Sequence, residues 1–247
     1  LRLYEEGLID GLRVDHVDGL ADPTGYIRKL RGRLASLAPS RPDGGREGAY
    51  LVVEKILAPG EDLPSDWPCH GTSGYDFLNE VSALLHDPAG AAALSELWAG
   101  ISGRPADFEI EEHAARLEIL DQGFAGQLAA VAARFSRWAR QDLSTRDLSE
   151  ESLRRALEVL LSVFPAYRTY ALGQPAGASD LEILDQADRA SETRIAEGDL
   201  PALRQIVKWL KGEAGAAQID SQDALRAFAQ LSAPVAAKSV EDTAFYR

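Results

Sequence analysis

Two short apolar runs, each followed directly by a carboxylate, constrain the fold of this chain more than any other feature. The first lies within Gly11–His16 and leads to Asp15, and the second lies within Tyr50–Lys55 and leads to Glu54. Short β-branched and aliphatic runs are typical of buried strands, and a strand interior does not tolerate charge. In α/β barrels the chemistry sits at the carboxyl ends of the parallel strands. The two runs therefore predict a carboxylate pair suited to acid–base and nucleophilic work.

Length and charge narrow the class of protein. The chain has 247 residues, a net charge of −13 and no Met. Its length allows a sizeable core in one large or two small domains. Because translation begins with Met and this sequence begins with Leu1, we expect a fragment or a processed product. The acidic balance argues against a nucleic-acid partner, since phosphates require clustered Lys and Arg. We expect an acidic, cytoplasmic protein with a neutral ligand.

The sequence predicts neither a metal site, nor an intrachain disulfide, nor a membrane-spanning segment. Cys69 is the only cysteine, so no intrachain disulfide and no thiolate metal site is expected. His86 and His113 have no partners at ligand spacing, and we predict no metal. No apolar run approaches the roughly 20 residues that span a bilayer, and no signal peptide is visible. The sequence predicts no membrane partner and leaves the oligomeric state open.

The character of the chain changes near residue 88. Residues 1–87 alternate strand-like and helical runs and are predicted to form part of a barrel, with strands at Leu12–Val14 and Tyr50–Leu57. Residues 88–231 are predicted as a helical insertion, and residues 232–247 as a return to the barrel with a short strand at Pro234–Val240. The predicted helices are Leu1–Leu8, Asp22–Leu37, Thr72–Leu85, Glu109–Trp138, Ser149–Phe164, Ser179–Glu197, Pro201–Lys211 and Ser221–Leu231. The fold class is mainly α with an α/β part: a partial (β/α)8 TIM-barrel segment with few parallel strands, carrying a large helical insertion.

Each carboxylate also has a structural alternative. Asp15 could simply cap the turn after its strand, but Arg13 lies two residues earlier and points to the same strand face. A cation at that place keeps a carboxylate ionised and oriented, as a nucleophile requires. Glu54 lies within an apolar run, so it either belongs to a buried ion pair or is a general acid beside a second, ionised carboxylate. A retaining glycosidase needs two carboxyls about 5–5.5 Å apart.

Further polar and aromatic residues are candidates for contacts to a sugar. His16 offers a hydrogen-bond donor, while Trp67 and Tyr75 offer stacking faces or, alternatively, pack onto the rim of the barrel. Arg168 lies between two tyrosines, and we favour binding over packing because burying this arginine for packing alone is costly. The predicted substrate-binding residues are Arg13, His16, Lys55, Trp67, His70, Tyr75, Tyr167, Arg168 and Tyr170.

Five motifs in this order resemble the maltooligosyltrehalose synthases of the α-amylase superfamily. They are GLRVDHVDGLADP from Gly11, YLVVEKIL from Tyr50, GTSGYDF from Gly71, FPAYRTY from Phe164 and KSVEDTAFYR from Lys238. The resemblance implies that Asp15 is the nucleophile, Arg13 its orienting arginine and Glu54 the general acid/base. It further implies a third, transition-state-stabilising carboxylate, which we assign to Asp242 rather than to the adjacent Glu241.

The resemblance also implies a reaction. The expected enzyme is an isomerase of trehalose biosynthesis that converts the reducing-end α-1,4 linkage of a maltooligosaccharide to an α,α-1,1 linkage, with retention and without a cofactor. Asp18-Gly19 stands where ordinary amylases have Lys-His, and Ala237-Lys238-Ser239 where Ala-Lys-Gly is expected. The alternatives are a maltooligosaccharide hydrolase and a non-catalytic helical interaction module. Because a barrel needs eight strands, we expect this chain alone to be inactive.

Overall fold

The computed structural model describes residues 1–42, 48–172, 175–213 and 219–247, in two compact units, Leu1–Asp87 and Pro88–Arg247. The first unit contains the strands β1 (Gly11–Val14) and β2 (Tyr50–Val53) and the helices α1 (Arg2–Glu5), α2 (Pro23–Leu37) and α3 (Tyr75–Ala83). The second unit contains the helices α4 (Ala91–Ser102), α5 (Phe108–Glu118), α6 (Ala125–Ala139), α7 (Glu150–Ser162), α8 (Ala178–Glu192), α9 (Leu200–Leu210) and α10 (Ile219–Val240). Among the described residues no helix is both long and apolar enough to cross a membrane.

The sheet of the first unit is parallel, as the two predicted strands require. β1 and β2 pair in register with Val14 opposite Val53, and α2 lies in the connection between them. Residues 70–73 run along the other side of β2, where Val53 N donates to Gly71 O at 3.1 Å and Ser73 N donates to Val53 O at 2.8 Å. In the described part of the chain β1 is therefore one edge of the sheet.

Local signals set the start of α2. Asp22 accepts a hydrogen bond from Gly25 N at 2.9 Å, and Pro23 occupies the first helical position. This cap satisfies one of the amide groups that a helix leaves unpaired at its start, and proline has no N–H to lose there. The predicted beginning of this helix is confirmed.

Arg41 stabilises the amino-terminal end of the sheet through contacts with the residues that precede β1. Its buried guanidinium donates to Tyr4 O at 2.8 Å and to Ile9 O at 2.7 Å, and it pairs with Asp10 at 2.7 Å. The same group lies over the Tyr4 ring, 4.4 Å from its centroid. One side chain therefore joins the segment that precedes β1 to the residues that follow α2.

The second unit has a core of apolar helix faces contributed mainly by α6, α7, α9 and α10. α7 contributes Leu153, Leu157 and Leu160, which lie on one helical face and are fully buried. Trp138 stacks on Trp209 with their ring centroids 4.5 Å apart. Burial of such large aromatic surfaces dominates the stability of a helical core.

The predicted continuous helix Glu109–Trp138 is wrong at its centre. α5 ends at Glu118, a π-helical turn spans Ile119–Gly123, and α6 begins at Ala125. Phe124 N donates to Ile119 O at 2.9 Å, which is the wide spacing of such a turn. Gly123 is a poor helix former, but the apolar spacing runs on through this turn and hides the interruption from the sequence pattern.

The predicted strand at Pro234–Val240 is also wrong, since α10 continues to Val240 with Pro234 inside it. A proline within a helix costs about 3 kcal/mol. Ala233, Val235 and Ala236 are buried around it, and packing of this face offsets that cost. These residues lie in the second unit, and the return of residues 232–247 to a barrel stays a prediction.

Other element boundaries differ less. β2 ends at Val53 rather than Leu57, and α8 begins at Ala178 without a side-chain cap. Asp180, near the start of α8, accepts a hydrogen bond from Tyr170 N at 2.9 Å. Ser149 caps α7 and accepts a hydrogen bond from Ser152 N at 3.0 Å.

Candidate active site

The two predicted carboxylates leave the sheet at the same edge. Because β1 and β2 are parallel with Val14 opposite Val53, Asp15 and Glu54 are the first residues beyond their carboxyl ends. Glu54 N donates to Val14 O at 2.7 Å and extends the hydrogen-bond ladder by one step. The Asp15 side chain is 75% exposed and that of Glu54 is 22% exposed. The sheet therefore presents one open and one sheltered carboxylate side by side.

Arg13 joins the two carboxylates. Its Nη1 lies 2.6 Å from Asp15 Oδ1, and its Nη2 lies 2.7 Å from Glu54 Oε1. The Arg13 guanidinium, and after it a hydrogen bond with the Glu54 carboxyl, hold the pKa of Asp15 below its ordinary value. An opposite charge at this distance favours the ionised acid. This environment suits Asp15 to act as a nucleophile and fits the alternation that places Arg13 and Asp15 on one strand face.

Glu54 has further hydrogen-bond donors around it. His16 N donates to Oε2 at 2.7 Å, and the Tyr75 hydroxyl donates to Oε1 at 3.4 Å. Tyr75 is the first residue of α3, directly after the segment that pairs with β2. The structure thus brings four predicted site residues together at one edge: Arg13, Asp15, His16 and Glu54, with Tyr75 at the limit of hydrogen-bond distance.

His16 adopts a strained backbone conformation. Its φ is 45°, in the left-handed region that costs a residue with a side chain free energy. This conformation places its amide in contact with Glu54. Its ring lies over Gly19, where a Cβ atom would come within 2.4 Å of His16 Cδ2. A glycine at position 19 therefore leaves room for the imidazole.

Lys55 does not occupy a position from which it can contact substrate. Its side chain is fully buried, and Nζ lies 2.7 Å from Glu61 Oε1 and 3.5 Å from Asp18 Oδ2. It also donates to Ile56 O at 3.0 Å. Glu54 and Lys55 are adjacent and point to opposite faces, so the lysine enters the interior when the glutamate faces the site. Sequence analysis missed Glu61, and the only signal for a partner was a lysine in an apolar run.

Trp67 and His70 serve to pack the segment before α3. Trp67 is only 4% exposed, and its Nε1 donates to Thr24 Oγ1 at 2.8 Å, so the alternative of rim packing describes it better than a stacking face for a sugar. His70 Nδ1 accepts from Leu51 N at 3.0 Å, and its ring lies 4.8 Å from that of Tyr50. His70 thus lies beside the middle of β2 rather than at its carboxyl end.

The second unit holds the remaining predicted residues. Arg168 is fully buried, with its guanidinium 5.3 Å from the centroid of the Tyr170 ring, so the prediction that favoured binding over packing is not supported at this residue. The Tyr167 hydroxyl donates to Glu241. Asp242 forms an ion pair with Lys238, one helical turn before it. The role of Asp242 as a third carboxylate stays a prediction.

A separate cleft of about 340 Å³ lies within the second unit. Aromatic side chains of Trp98, Phe108 and Phe245 line it, together with Arg247. None of the predicted site residues is among its lining residues. The carboxylate pair predicted from the sequence lies at the sheet edge and not in this cleft.

Comparison with known proteins places these features in a family context. No protein-family model matches the chain. A putative maltooligosyl trehalose synthase of Mycobacterium tuberculosis is 33% identical over 246 residues, covering 100% of this chain and 28% of the relative. The structure of a maltooligosyltrehalose synthase from Arthrobacter ramosus is 30% identical with a TM-score of 0.75, covering 99% of this chain and 28% of that one.

A more distant structure agrees in fold. The Sulfolobus tokodaii hypothetical maltooligosyl trehalose synthase is 24% identical with a TM-score of 0.59, covering 95% of this chain and 25% of that one. The chain thus spans about 28% of the length of the mycobacterial relative and is similar to it throughout its own length.

Proposed function

We propose that this chain, a homologue over its whole length of the maltooligosyl trehalose synthases, supplies the nucleophile and the general acid/base of such an enzyme. The observation that supports this most directly is the carboxylate pair at one sheet edge, bridged by Arg13 with contacts of 2.6 Å to Asp15 and 2.7 Å to Glu54. The activity is an intramolecular transglycosylation, an isomerase reaction in trehalose biosynthesis, and the enzyme acts in the cytoplasm.

The parallel strands that carry Asp15 and Glu54 also support a proposal for the fold. Two parallel strands, a third parallel segment at residues 70–73 and the helices after them form part of a (β/α)8 barrel whose other strands are not among the described residues. Residues 88–231 supply the helical insertion, and residues 232–247 return to the barrel. This arrangement accounts for chemistry at the carboxyl ends of β1 and β2.

The first chemical step cleaves the reducing-end linkage of a maltooligosaccharide. Glu54 donates its proton to the glycosidic oxygen, and the Asp15 carboxylate attacks the anomeric carbon of the neighbouring sugar. The C–O bond to the terminal glucose breaks, and a glycosyl ester forms on Asp15. Arg13 keeps Asp15 ionised before attack, and its contact with that carboxylate supports this role.

The second step forms the new linkage. The released glucose turns within the site and presents its anomeric hydroxyl to the glycosyl ester. Glu54, now a carboxylate, accepts the hydroxyl proton while that oxygen bonds to the anomeric carbon and the ester to Asp15 breaks. The product is an α,α-1,1 linkage with net retention, and both carboxyls return to their starting states. Water must be kept out because it attacks the same ester.

Substrate contacts and the third carboxylate complete the proposal. His16 and Tyr75, which both donate to Glu54, also face a sugar bound at this edge. Tyr167 is proposed as a further substrate contact, and Asp242 as the carboxylate that stabilises the charge of the transition state. No cofactor takes part.

The test uses the full-length protein with maltopentaose as substrate. Asp15→Asn and Glu54→Gln are each expected to lower kcat by about 10²–10⁴-fold or more. This range is what a positioned acid or base contributes to the rate. Asp66→Asn is the matched control, because Asp66 forms an exposed ion pair with Arg28 in the same unit. Activity close to that of the wild type in either catalytic variant would exclude the proposed mechanism.

The same assay separates the synthase from the alternative hydrolase. Isomerisation converts a reducing sugar to a non-reducing one, so the reducing-end signal falls as the reaction proceeds. Hydrolysis creates a new reducing end and raises that signal. A rise with wild-type protein would favour the hydrolase, and no change in the presence of intact substrate would favour a non-catalytic module.

A further inference from the structure

A buried network of three charged side chains lies beneath the proposed catalytic edge. The Lys55 side chain is 0% exposed, and those of Asp18 and Glu61 are each 3% exposed. The ammonium lies 2.7 Å from Glu61 Oε1 and 3.5 Å from Asp18 Oδ2. Buried charges at this depth persist only when they are paired, so the three side chains hold one another in place.

The network joins three segments that meet at the site. Asp18 lies in the turn that follows Asp15, within the short helix Val17–Gly19. Lys55 directly follows Glu54. Glu61 belongs to the loop after β2, and its second oxygen accepts from Ala58 N at 2.8 Å. Each catalytic carboxylate is therefore within three residues of one member of the network.

We propose that the Asp18–Lys55–Glu61 network is a positioning device that sets the separation of Asp15 and Glu54 for the transglycosylation. This inference rests on the proposed function of the two carboxylates. The network lies on the face of the strands opposite the two catalytic carboxylates. Lys55 pairs with Asp18 in the turn after β1 and with Glu61 in the loop after β2, and so holds both segments close to the end of β2. Arg13 can then contact both carboxylates at once.

The charge balance explains why the lysine is required. Without Lys55, the Asp18 and Glu61 carboxylates would face a shared buried space without a cation between them. Like charges in such a space repel, and the two carboxylates either separate or admit water. Separation moves the turn that bears Asp15 away from the end of the strand that bears Glu54. A misplacement of about 1 Å is enough to cost about 100-fold in rate.

The experiment measures kcat and KM of the full-length protein with maltopentaose, well below the unfolding temperature of each variant. Lys55→Met is expected to lower kcat by about 100-fold with KM nearly unchanged. Glu61→Gln retains the shape of the side chain and the Lys55–Asp18 pair, and we expect a smaller loss of about 10-fold. Arg41→Met is the matched control, since Arg41 is also a buried, paired cation and lies at the opposite end of the same strands. It should lower the unfolding temperature and leave kcat unchanged.

A crystal structure of the Glu61→Gln protein gives a readout independent of activity. The proposal expects that Arg13 no longer contacts both carboxylates in this variant. If Arg13 still bridges them and kcat matches that of the wild type, the network only stabilises the fold and the inference is overturned. If the wild-type protein makes no non-reducing product, the proposed function fails, while the Arg13 contacts still decide whether the network positions the two carboxylates.

Discussion

The contact between Gly19 and His16 allows a sharp test of how the candidate site is assembled. A Cβ at position 19 would lie 2.4 Å from Cδ2 and 2.5 Å from Nε2 of His16, whereas ordinary contacts begin near 3.4 Å. In a Gly19→Ala protein the imidazole must therefore move by about 1 Å, the displacement that costs about 100-fold in rate when a reacting geometry depends on it. This loss corresponds to about 2.7 kcal/mol of transition-state stabilisation.

The effect on stability should be much smaller than the effect on activity. The imidazole is the end of a side chain, and moving it off its preferred rotamer costs about 0.5–1.5 kcal/mol. Gly32→Ala is the matched control, because a Cβ at position 32 would meet nothing within 4 Å in the middle of α2. We expect that substitution to stabilise the protein by about 1 kcal/mol and to leave activity unchanged.

The assay is a double-mutant cycle on kcat/KM for non-reducing product from maltopentaose, measured with the full-length protein. If Gly19→Ala acts through His16, it should have no further effect in a His16→Ala background. An equal loss in both backgrounds would refute the argument, because Gly19 would then act independently of the imidazole. Unchanged activity of the single Gly19→Ala variant would show that the ring position does not matter.

Three further substitutions test packing and electrostatics. Leu157→Ala, at a fully buried position, should lower the free energy of unfolding by about 2–5 kcal/mol, measured by denaturant titration; a loss below about 1 kcal/mol would contradict the core assignment. Arg155 hydrogen-bonds to Asp199 and lowers the pKa of that carboxyl in the folded protein. The resulting gain in stability is complete above the pKa of about 3.9 that the group has in the unfolded chain, and it is lost as the pH falls through the lower pKa of the folded protein. The unfolding temperature of the Arg155→Gln protein should consequently fall less steeply with decreasing pH than that of the wild type. Parallel curves of unfolding temperature against pH would exclude a contribution of the Arg155–Asp199 pair. Arg13→Gln should move the acidic limb of kcat/KM toward neutral pH, since the guanidinium holds the pKa of Asp15 down; an unmoved limb would show that another group sets it.

The parts of the site that could be predicted from the sequence follow from local spacing and from the pairing of two parallel strands. Strand alternation places Arg13 beside Asp15, and parallel pairing brings Asp15 to the same edge as Glu54. Asp22 before Pro23 marks the start of α2 for an equally local reason. The Arg13–Asp15 spacing and the cap of α2 involve residues one to three positions apart, which a single sequence shows directly, whereas the Asp15–Glu54 pair was predicted from the rule that parallel strands end at one edge.

Contacts between distant residues were beyond the reach of such patterns. Trp67 donates to Thr24, 43 residues away, and no local feature distinguishes this buried indole from one that stacks on a sugar. Lys55 is among the predicted substrate-binding residues, and its partner Glu61 lies in a loop without periodicity. Arg168 shows the same limit, because its cost of burial suggested a ligand where the fold supplies a tyrosine ring.

The outer edge of β1 has a consequence for handling the protein. In the described part of the chain the sheet ends at β1, whose far side has a row of backbone N–H and C=O groups without a strand partner. Such a row is a template on which another strand can add, and edges of this kind promote self-association. A chain with these residues alone should therefore aggregate in a concentration-dependent manner, and light scattering would show it. In a closed barrel the same row pairs with a neighbouring strand, so solubility itself reports whether the sheet has been completed.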